Sequence, residues 1–218
     1  MKIAIIGASG FIGSKITEEA LRRGHEVTGI VRNPSRLPQN PKLTGVGQNI
    51  SQGDKLARAL AGHDAVVSAW NAAKDGPGPE LYDRFVEGNR AIIGAVKESG
   101  VKRFLVVGGA ASLKTPEGVE FIDSPQFPAS FEAAKPAMRG VREYYYLLKN
   151  EPELDWAYFS PAIMIQPGQR TGKFRLGGDR IVADASGASR ISVEDYAVAA
   201  VDELEQPKHH RERFTIGY

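Results

Sequence analysis

A glycine-rich turn between an apolar strand and an amphipathic helix constrains the fold of this chain more than any other feature. Residues 3–6, IAII, contain no polar side chain, which is typical of a strand covered on both faces of a parallel sheet. Gly7, Gly10 and Gly13 follow where a helix begins. The start of a helix presents unpaired N–H groups and a positive dipole end, and glycine lets a diphosphate approach them. Within a βαβ unit of about 30 residues, this spacing predicts dinucleotide binding.

Composition excludes several classes of protein. The 218 residues are 42% hydrophobic and 25% charged, as in an ordinary globular protein, and the net charge of +2 gives no reason to expect nucleic-acid binding. Without cysteine there is no disulfide, thiolate ligand or cysteine nucleophile, and the four histidines have no metal-ligand spacing. The first strand leaves no room for a signal peptide, and no apolar run approaches about 18 residues. We therefore expect a cytoplasmic protein without metal, membrane or nucleic-acid partners.

Strand and helix patterns alternate along the rest of the chain. Beyond the opening unit, strands are predicted at residues 43–46, 64–69, 103–107 and 155–160, and helices at residues 55–60, 80–99, 136–149 and 196–204. This series predicts an α/β fold with a doubly wound parallel sheet, the Rossmann arrangement. We predict a dinucleotide-binding domain over residues 1–168 and a small C-terminal substrate lobe over residues 169–218, packed on the same domain.

Two helices carry more detailed patterns. In the helix at residues 136–149, helical spacing predicts that Met138, Val141, Tyr145 and Leu148 face inward. Before the last helix, Ser192 stands three residues ahead of Asp195, which is the spacing of an N-terminal cap.

In a doubly wound sheet, ligands bind beyond the carboxyl ends of the strands, where the strand order reverses. The predicted site is therefore built from four loops, at residues 7–13, 70–78, 108–115 and 161–168. Residues 75–79, DGPGP, form a proline-stiffened segment within the second loop that is a candidate lid.

Five segments together resemble a known family: GASGFIG at residues 7–13, DAVVSAW at 64–70, RFLVVGGA at 103–110, SPAIMIQPG at 160–168 and RISVEDYA at 190–197. They are similar to the atypical short-chain dehydrogenase/reductases of the NmrA-like kind, particularly the small NAD(P)H-flavin reductases related to biliverdin reductase B. The similarity covers essentially the whole chain. It implies a Rossmann domain that binds NAD(P)H and a substrate held by the C-terminal portion.

The end of the second strand favours NADP over NAD. Domains that bind NAD usually have an acidic side chain at this position, which bonds the ribose 2′-hydroxyl. Here Glu26 lies at the start of the strand, and Arg32 follows its end. A guanidinium suits a 2′-phosphate, although an arginine exposed in a turn is the alternative. Family resemblance also places Asn49, with Ile50 beside it, at the adenine, where relatives commonly carry an aspartate.

We predict one set of cofactor contacts from these loops and strand ends. Pro161 and Ala162 are included because the resemblance implies that their backbone amides face the carboxamide. Trp70 is included as a residue that lines the pocket, with a role in covering the core as the alternative. The predicted cofactor-binding residues are Gly7, Ser9, Gly10, Phe11, Ile12, Gly13, Arg32, Asn49, Ile50, Ala69, Trp70, Asn71, Gly108, Gly109, Pro161 and Ala162.

The catalytic tyrosine of typical short-chain dehydrogenases is missing. Their YxxxK motif aligns with Phe131 and Lys135, and phenylalanine carries no proton. A second match, Tyr145 to Lys149, lies two to three turns too late and is predicted to pack in the core. Ser112 is a candidate for orienting substrate or nicotinamide, with a turn serine as the alternative. Lys135 is a candidate for the ribose, with a surface lysine as the alternative.

Three functions remain open. Carbonyl reduction needs an acid, whereas an oxidised flavin accepts a hydride without one. We therefore expect an NADPH-dependent reductase of FMN, another flavin or a similar planar acceptor, acting as a monomer or homodimer. The alternatives are a non-catalytic NAD(P) redox sensor and a sugar-nucleotide epimerase or dehydratase, of which the latter is weakened by the missing tyrosine.

Overall fold

The computed structural model describes residues 1–76, 78 and 80–218 of the chain. The opening unit is β1 (Lys2–Ile6), α1 (Phe11–Arg22) and β2 (Glu26–Val31). The remaining elements, in chain order, are β3 (Leu43–Gly47), α2 (Gly53–Leu60), β4 (Ala65–Ser68), α3 (Leu81–Ser99), β5 (Arg103–Val107), α4 (Lys135–Lys149), β6 (Asp155–Ser160), β7 (Met164–Gln166), β8 (Arg175–Gly177), β9 (Arg190–Ser192), α5 (Val193–Glu205) and β10 (Glu212–Gly217).

Eight strands form one sheet in the order β3-β2-β1-β4-β5-β6-β10-β8, and every neighbouring pair is parallel except β10 with β8. In the middle of the sheet, Ile5 of β1 pairs with Gly29 of β2 on one side and with Val67 of β4 on the other. The strand order reverses between β1 and β4. This confirms the predicted doubly wound α/β fold and places the crevice for a ligand at the carboxyl ends of these two strands.

Each face of the sheet is covered by helices, which explains why the central strands are apolar without alternation. On one face α1 and α5 cover Ile5 and Phe159, and the ring of Tyr196 stacks on Phe159 with centroids 4.0 Å apart. On the other face α2, α3 and α4 cover Val66 and Phe104. These side chains are at most 1% exposed, so each contributes about 1.5–3 kcal/mol of burial free energy.

The buried face of α4 differs from the predicted one. Gly140, Tyr144 and Leu148 form its buried stripe, so the prediction is right for Leu148. Val141 and Tyr145 are half-buried and pack against the core at its edge, and Met138 is half-buried. The physical reason is a close approach between helices: a Cβ on Gly140 would lie 2.4 Å from the Cβ of Phe85 on α3. Because α3 rests directly on Gly140, the residues one and two turns further along that row become the buried ones.

The C-terminal residues extend the main sheet. Strand β10 lies beside β6, so the sheet continues past residue 168, where the sequence predicted that a substrate lobe begins. The predicted cap of α5 is confirmed, since the hydroxyl of Ser192 accepts a hydrogen bond from the N–H of Asp195 at 3.0 Å, but the helix begins at Val193, three residues before its predicted start. Among the described residues, no helix is long and apolar enough to cross a bilayer.

Ion pairs tie the C-terminal segment to the opening helix. Glu19 of α1 is 3% exposed and accepts hydrogen bonds from Arg170 at 2.7 and 2.8 Å and from Arg23 at 2.8 Å. The hydrogen bonds from Arg170, followed by those from Arg23, lower the pKa of Glu19 to about 2 although its burial acts in the opposite direction. Arg23 also bonds Asp202 and Glu205 of α5, each at 2.7 Å.

Candidate dinucleotide site

The glycine turn has the geometry that the sequence predicts. Gly7 has a φ of +82°, and a Cβ there would lie 2.6 Å from the carbonyl oxygen of Ala69. A Cβ on Gly13 would lie 2.2 Å from the carbonyl oxygen of Gly7. The first turn of α1 therefore rests directly on the turn that follows β1, and neither position has room for a side chain.

The start of α1 is open to a ligand. Gly10 is its N-terminal cap residue, and no described side chain caps this helix. Its first hydrogen bond runs from the N–H of Ser14 to the carbonyl of Gly10 at 2.9 Å, so the amides of residues 11–13 precede the helical ladder. No acidic residue lies in the first turn to compete with an anion for these amides and for the dipole.

A cavity of about 640 Å³ lies against this turn, at the carboxyl ends of β1, β2, β3 and β4. Its volume is in the range of ordinary small-molecule sites. It brings together nine of the predicted cofactor contacts: Gly7, Ser9, Gly10, Arg32, Asn49, Ile50, Ala69, Trp70 and Asn71. Residues that are far apart in the sequence thus meet in one crevice at the point where the strand order reverses.

The wall of the cavity carries two exposed arginines. Arg32 directly follows β2, and Arg36 ends the short 3-10 helix Pro34–Arg36. The side chain of Asn33 caps this helix by accepting from the N–H of Ser35 at 3.1 Å. The backbone N–H of Arg36 donates to the carbonyl of Asn33 at 3.2 Å, whereas its guanidinium forms no hydrogen bond or ion pair with any residue that the structure describes. Arg36 was not among the predicted contacts, although an asparagine before proline is typical of the capped turn that places Arg36 at the same cavity as Arg32.

A row along α3 forms another wall of the cavity. Arg84, Glu87, Gly88 and Ala91 follow the i, i+3, i+4, i+7 spacing of one helical face. The guanidinium of Arg84 donates a hydrogen bond from Nη2 to the carbonyl of Gly76 at 2.7 Å. These residues were not among the predicted contacts, because the apolar face of the same helix has the stronger pattern in the sequence. The candidate lid at residues 75–79 includes Pro77 and Pro79, which lie outside the described residues.

The other predicted cofactor residues do not line this cavity. Phe11 is exposed, Ile12 is half-buried against the core, and Gly13 packs on Gly7. Gly108, Gly109, Pro161 and Ala162 lie at the ends of β5 and β6, and Pro161 and Ala162 are buried.

Gly108 and Gly109 make room for Tyr158. A Cβ on Gly108 would lie 2.3 Å from the ring of Tyr158, whose hydroxyl accepts from the N–H of Gly109 at 3.2 Å and donates to the carbonyl of Val141 at 2.8 Å. Burial raises the pKa of Tyr158 well above its ordinary value of 10, so this hydroxyl keeps its proton.

The structure does not bring the two catalytic candidates to the cavity. Ser112 is 1% exposed, and Nη1 of Arg213 donates both to its hydroxyl at 2.8 Å and to its carbonyl at 2.9 Å. This placement corresponds to the turn-serine alternative. Lys135 donates to Glu132 at 2.7 Å and lies 4.8 Å from the ring centroid of Phe127, which corresponds to the surface-lysine alternative.

Neither YxxxK match places a hydroxyl at the cavity. Phe131 packs on Phe127 with ring centroids 6.0 Å apart. Tyr145 packs against Tyr158 and under the guanidinium of Arg213, which lies 4.3 Å from its ring centroid, in agreement with its predicted packing role.

Proton-transfer chemistry is sparse in the cavity wall. Of the described residues that line it, Glu87 is the one carboxylic acid, and none is a tyrosine, histidine or lysine. No group of three or more histidine, aspartate or glutamate residues in the described part of the chain is arranged to hold a metal ion. The arrangement is suited to binding a long anionic ligand by backbone amides and guanidinium groups.

Comparisons with known proteins agree with this geometry. The sequence model of a family described as NAD(P)H-binding matches residues 7–204. Protein YwnB of Bacillus subtilis is 41% identical over 219 aligned residues, which cover 99% of this chain and 98% of YwnB.

Two solved structures are similar over the whole chain. A candidate epimerase from Bacteroides thetaiotaomicron has a TM-score of 0.91 and 46% identity, with coverage of 100% of this chain and 96% of that one. SP1627, a candidate NADH-flavin reductase from Streptococcus pneumoniae, has a TM-score of 0.86 and 33% identity, with coverage of 100% and 99%.

Proposed function

Because the chain belongs to the NAD(P)H-binding family, among the atypical short-chain dehydrogenase/reductases of the NmrA-like kind, we propose that it is an NADPH-dependent reductase of a flavin or a similar planar acceptor. The observation that carries the proposal is the glycine turn. Two positions there exclude a Cβ, and Gly10, the N-terminal cap residue of α1, lines a cavity whose wall also carries Arg32 and Arg36.

The described residues fit a dinucleotide. The amides of residues 11–13 would hold the diphosphate, and the half-buried side chain of Ile50 together with Ala91 of α3 would border the adenine. Arg32 and Arg36 would hold a 2′-phosphate, since two fixed positive charges favour the doubly charged group over a hydroxyl. This charge pattern supports NADPH as the cofactor rather than NADH.

The character of the acceptor follows from what the cavity wall offers. A bound NADPH supplies a hydride to an acceptor. The side chains that line the cavity would bind and orient the cofactor. The described ones include no tyrosine that could protonate an alkoxide. An oxidised flavin needs no such acid, and SP1627, which is 33% identical to this chain, is a candidate NADH-flavin reductase. Positioning of two flat rings therefore accounts for the catalysis.

A redox sensor that binds NADPH without turnover is the second candidate, and the same missing tyrosine favours it. The decisive assay mixes the purified protein with NADPH and FMN, and follows the absorbance of the reduced cofactor. We expect oxidation that depends on both the protein and FMN. Binding of NADPH without oxidation across flavins, quinones and biliverdin would instead support the sensor, and conversion of a sugar nucleotide would support an epimerase.

The choice of cofactor is tested by Arg32→Ala. A charge-assisted hydrogen bond to a phosphate is worth about 1.5–3 kcal/mol, so the affinity for NADPH should fall about 10- to 150-fold. The affinity for NADH, measured by the same titration calorimetry, should change less than about threefold. Arg58→Ala removes the same charge from an exposed position on α2 and is the matched control. Equal losses for both nucleotides in Arg32→Ala would contradict the assignment of the 2′-phosphate site.

A further inference from the structure

Trp70 lies against the backbone of α3 at a position where only glycine fits. A Cβ on Gly88 would lie 2.2 Å from Cη2, 2.6 Å from Cζ3 and 2.8 Å from Cζ2 of the indole. The outer edge of the six-membered ring therefore rests on the Cα of Gly88. Both residues line the 640 Å³ cavity, and Trp70 follows the strand end that also contacts Gly7.

The indole is supported from behind. Phe85, one turn before the glycine, meets Trp70 edge to face with ring centroids 5.7 Å apart. Phe85 is 2% exposed and cannot move further toward α4, because it rests directly on Gly140 of that helix. Gly140 thus makes room for the ring of Phe85, and Gly88 makes room for the indole of Trp70. The indole lies between α3, Phe85 and the cavity.

We infer that Gly88 is a positioning residue for the dinucleotide, acting through Trp70, whose indole is a fixed wall of the cofactor cavity beside the diphosphate turn. This inference rests on the dinucleotide binding of the proposed function. A side chain on Gly88 pushes the indole away from α3. Since Phe85 blocks one direction, the indole moves into the cavity and takes the space of the cofactor.

The experiment is a double-mutant cycle on Gly88 and Trp70, with NADPH binding measured by titration calorimetry. Gly88→Ala should lower the affinity for NADPH at least about tenfold, because the displaced ring and the cofactor compete for one volume. In the Trp70→Ala background the same substitution should change the affinity less than about twofold, because the ring is absent.

Gly94→Ala is the matched control on the same helix. A Cβ on Gly94 meets nothing within 4 Å, and the residue does not line the cavity. This variant should bind NADPH as the wild type does and should be slightly more stable, since alanine is favoured over glycine within a helix.

The cycle also covers a failure to fold. If Gly88→Ala alone is unfolded, the double variant Trp70→Ala/Gly88→Ala should fold and bind NADPH with the affinity of Trp70→Ala. The inference is overturned if Gly88→Ala binds NADPH normally, or if its effect persists unchanged when Trp70 is alanine. A wild-type protein that binds NADPH but reduces no acceptor would refute the reductase proposal, and the affinity cycle would still decide the role of Gly88.

Discussion

The contact between Gly13 and Gly7 makes Gly13→Ala the most direct test of the diphosphate turn. Gly13 lies in the first turn of α1, and its φ is not positive, so alanine is compatible with the local backbone. The added Cβ would stand 2.2 Å from the carbonyl oxygen of Gly7, whereas real Cβ atoms essentially never come closer than 3.0 Å. The helix and the turn must therefore separate by at least 0.8 Å.

The magnitude follows from two opposing terms. Alanine gains about 0.5–1 kcal/mol over glycine within a helix, but overpacking against a backbone atom costs about 1–3 kcal/mol. We expect a net loss of up to about 2.5 kcal/mol in the free energy of unfolding. The affinity for NADPH should fall further, at least about tenfold, because the displaced amides no longer converge on the diphosphate.

Urea unfolding and titration calorimetry separate the two effects. Gly53→Ala is the control, since a Cβ at this position at the start of α2 meets nothing within 4 Å. The control should keep both its stability and its affinity for NADPH. If Gly13→Ala bound NADPH as tightly as the wild type, the diphosphate would not lie over this turn and the reasoning from the glycine spacing would be refuted.

Two further predictions concern residues outside the cavity. For Glu19, whose pKa is lowered to about 2, the ion pairs stabilise the fold above the ordinary pKa of 4.5, and this stability is lost as the pH falls toward 2. Between pH 4.5 and pH 2 the unfolding free energy of the wild type should therefore fall by about 3 kcal/mol more than that of Glu19→Gln, as measured by urea unfolding at each pH. For Ser112→Ala we expect a loss of about 1–2 kcal/mol in stability, from the bond to Arg213, with NADPH oxidation changed less than about twofold. A hundredfold loss of turnover at unchanged stability would instead support the catalytic role predicted for Ser112.

The part of the site at the start of α1 could be predicted from the sequence, because the residues that form it are close together in the chain. Gly7, Gly10 and Gly13 stand within seven residues of one another, and their constraint is a backbone contact that any side chain would break. Arg32 was predictable for a similar reason, since the end of a strand in a parallel sheet has a fixed place at the sheet edge. Such features depend on the spacing of neighbouring residues and not on how distant helices pack.

The wall formed by α3 could not be predicted in the same way. Gly88 has no local signal, because a glycine within a helix is equally compatible with an exposed position, as at Gly94. Its role depends on Trp70, 18 positions earlier, and on how closely α3 approaches the strand end. The buried face of α4 was misjudged for a related reason, since Gly140 is counted as neither apolar nor polar, yet its contact with Phe85 sets which row of the helix is buried.

The two YxxxK matches show how far a motif depends on its surroundings. The ammonium group of Lys135 donates a hydrogen bond to Glu132 and lies over the ring of Phe127, while Tyr145 lies under the guanidinium of Arg213. Both lysine and tyrosine are thus engaged in packing around α4, away from the residues that line the cavity. In the reductase that we propose, the amides at the start of α1 would bind the diphosphate and Arg32 and Arg36 would bind the 2′-phosphate, and no tyrosine stands among the described residues of the cavity wall. For that reductase we propose an acceptor whose reduced form is stabilised by its own electronic structure, and a conjugated planar ring system meets that requirement.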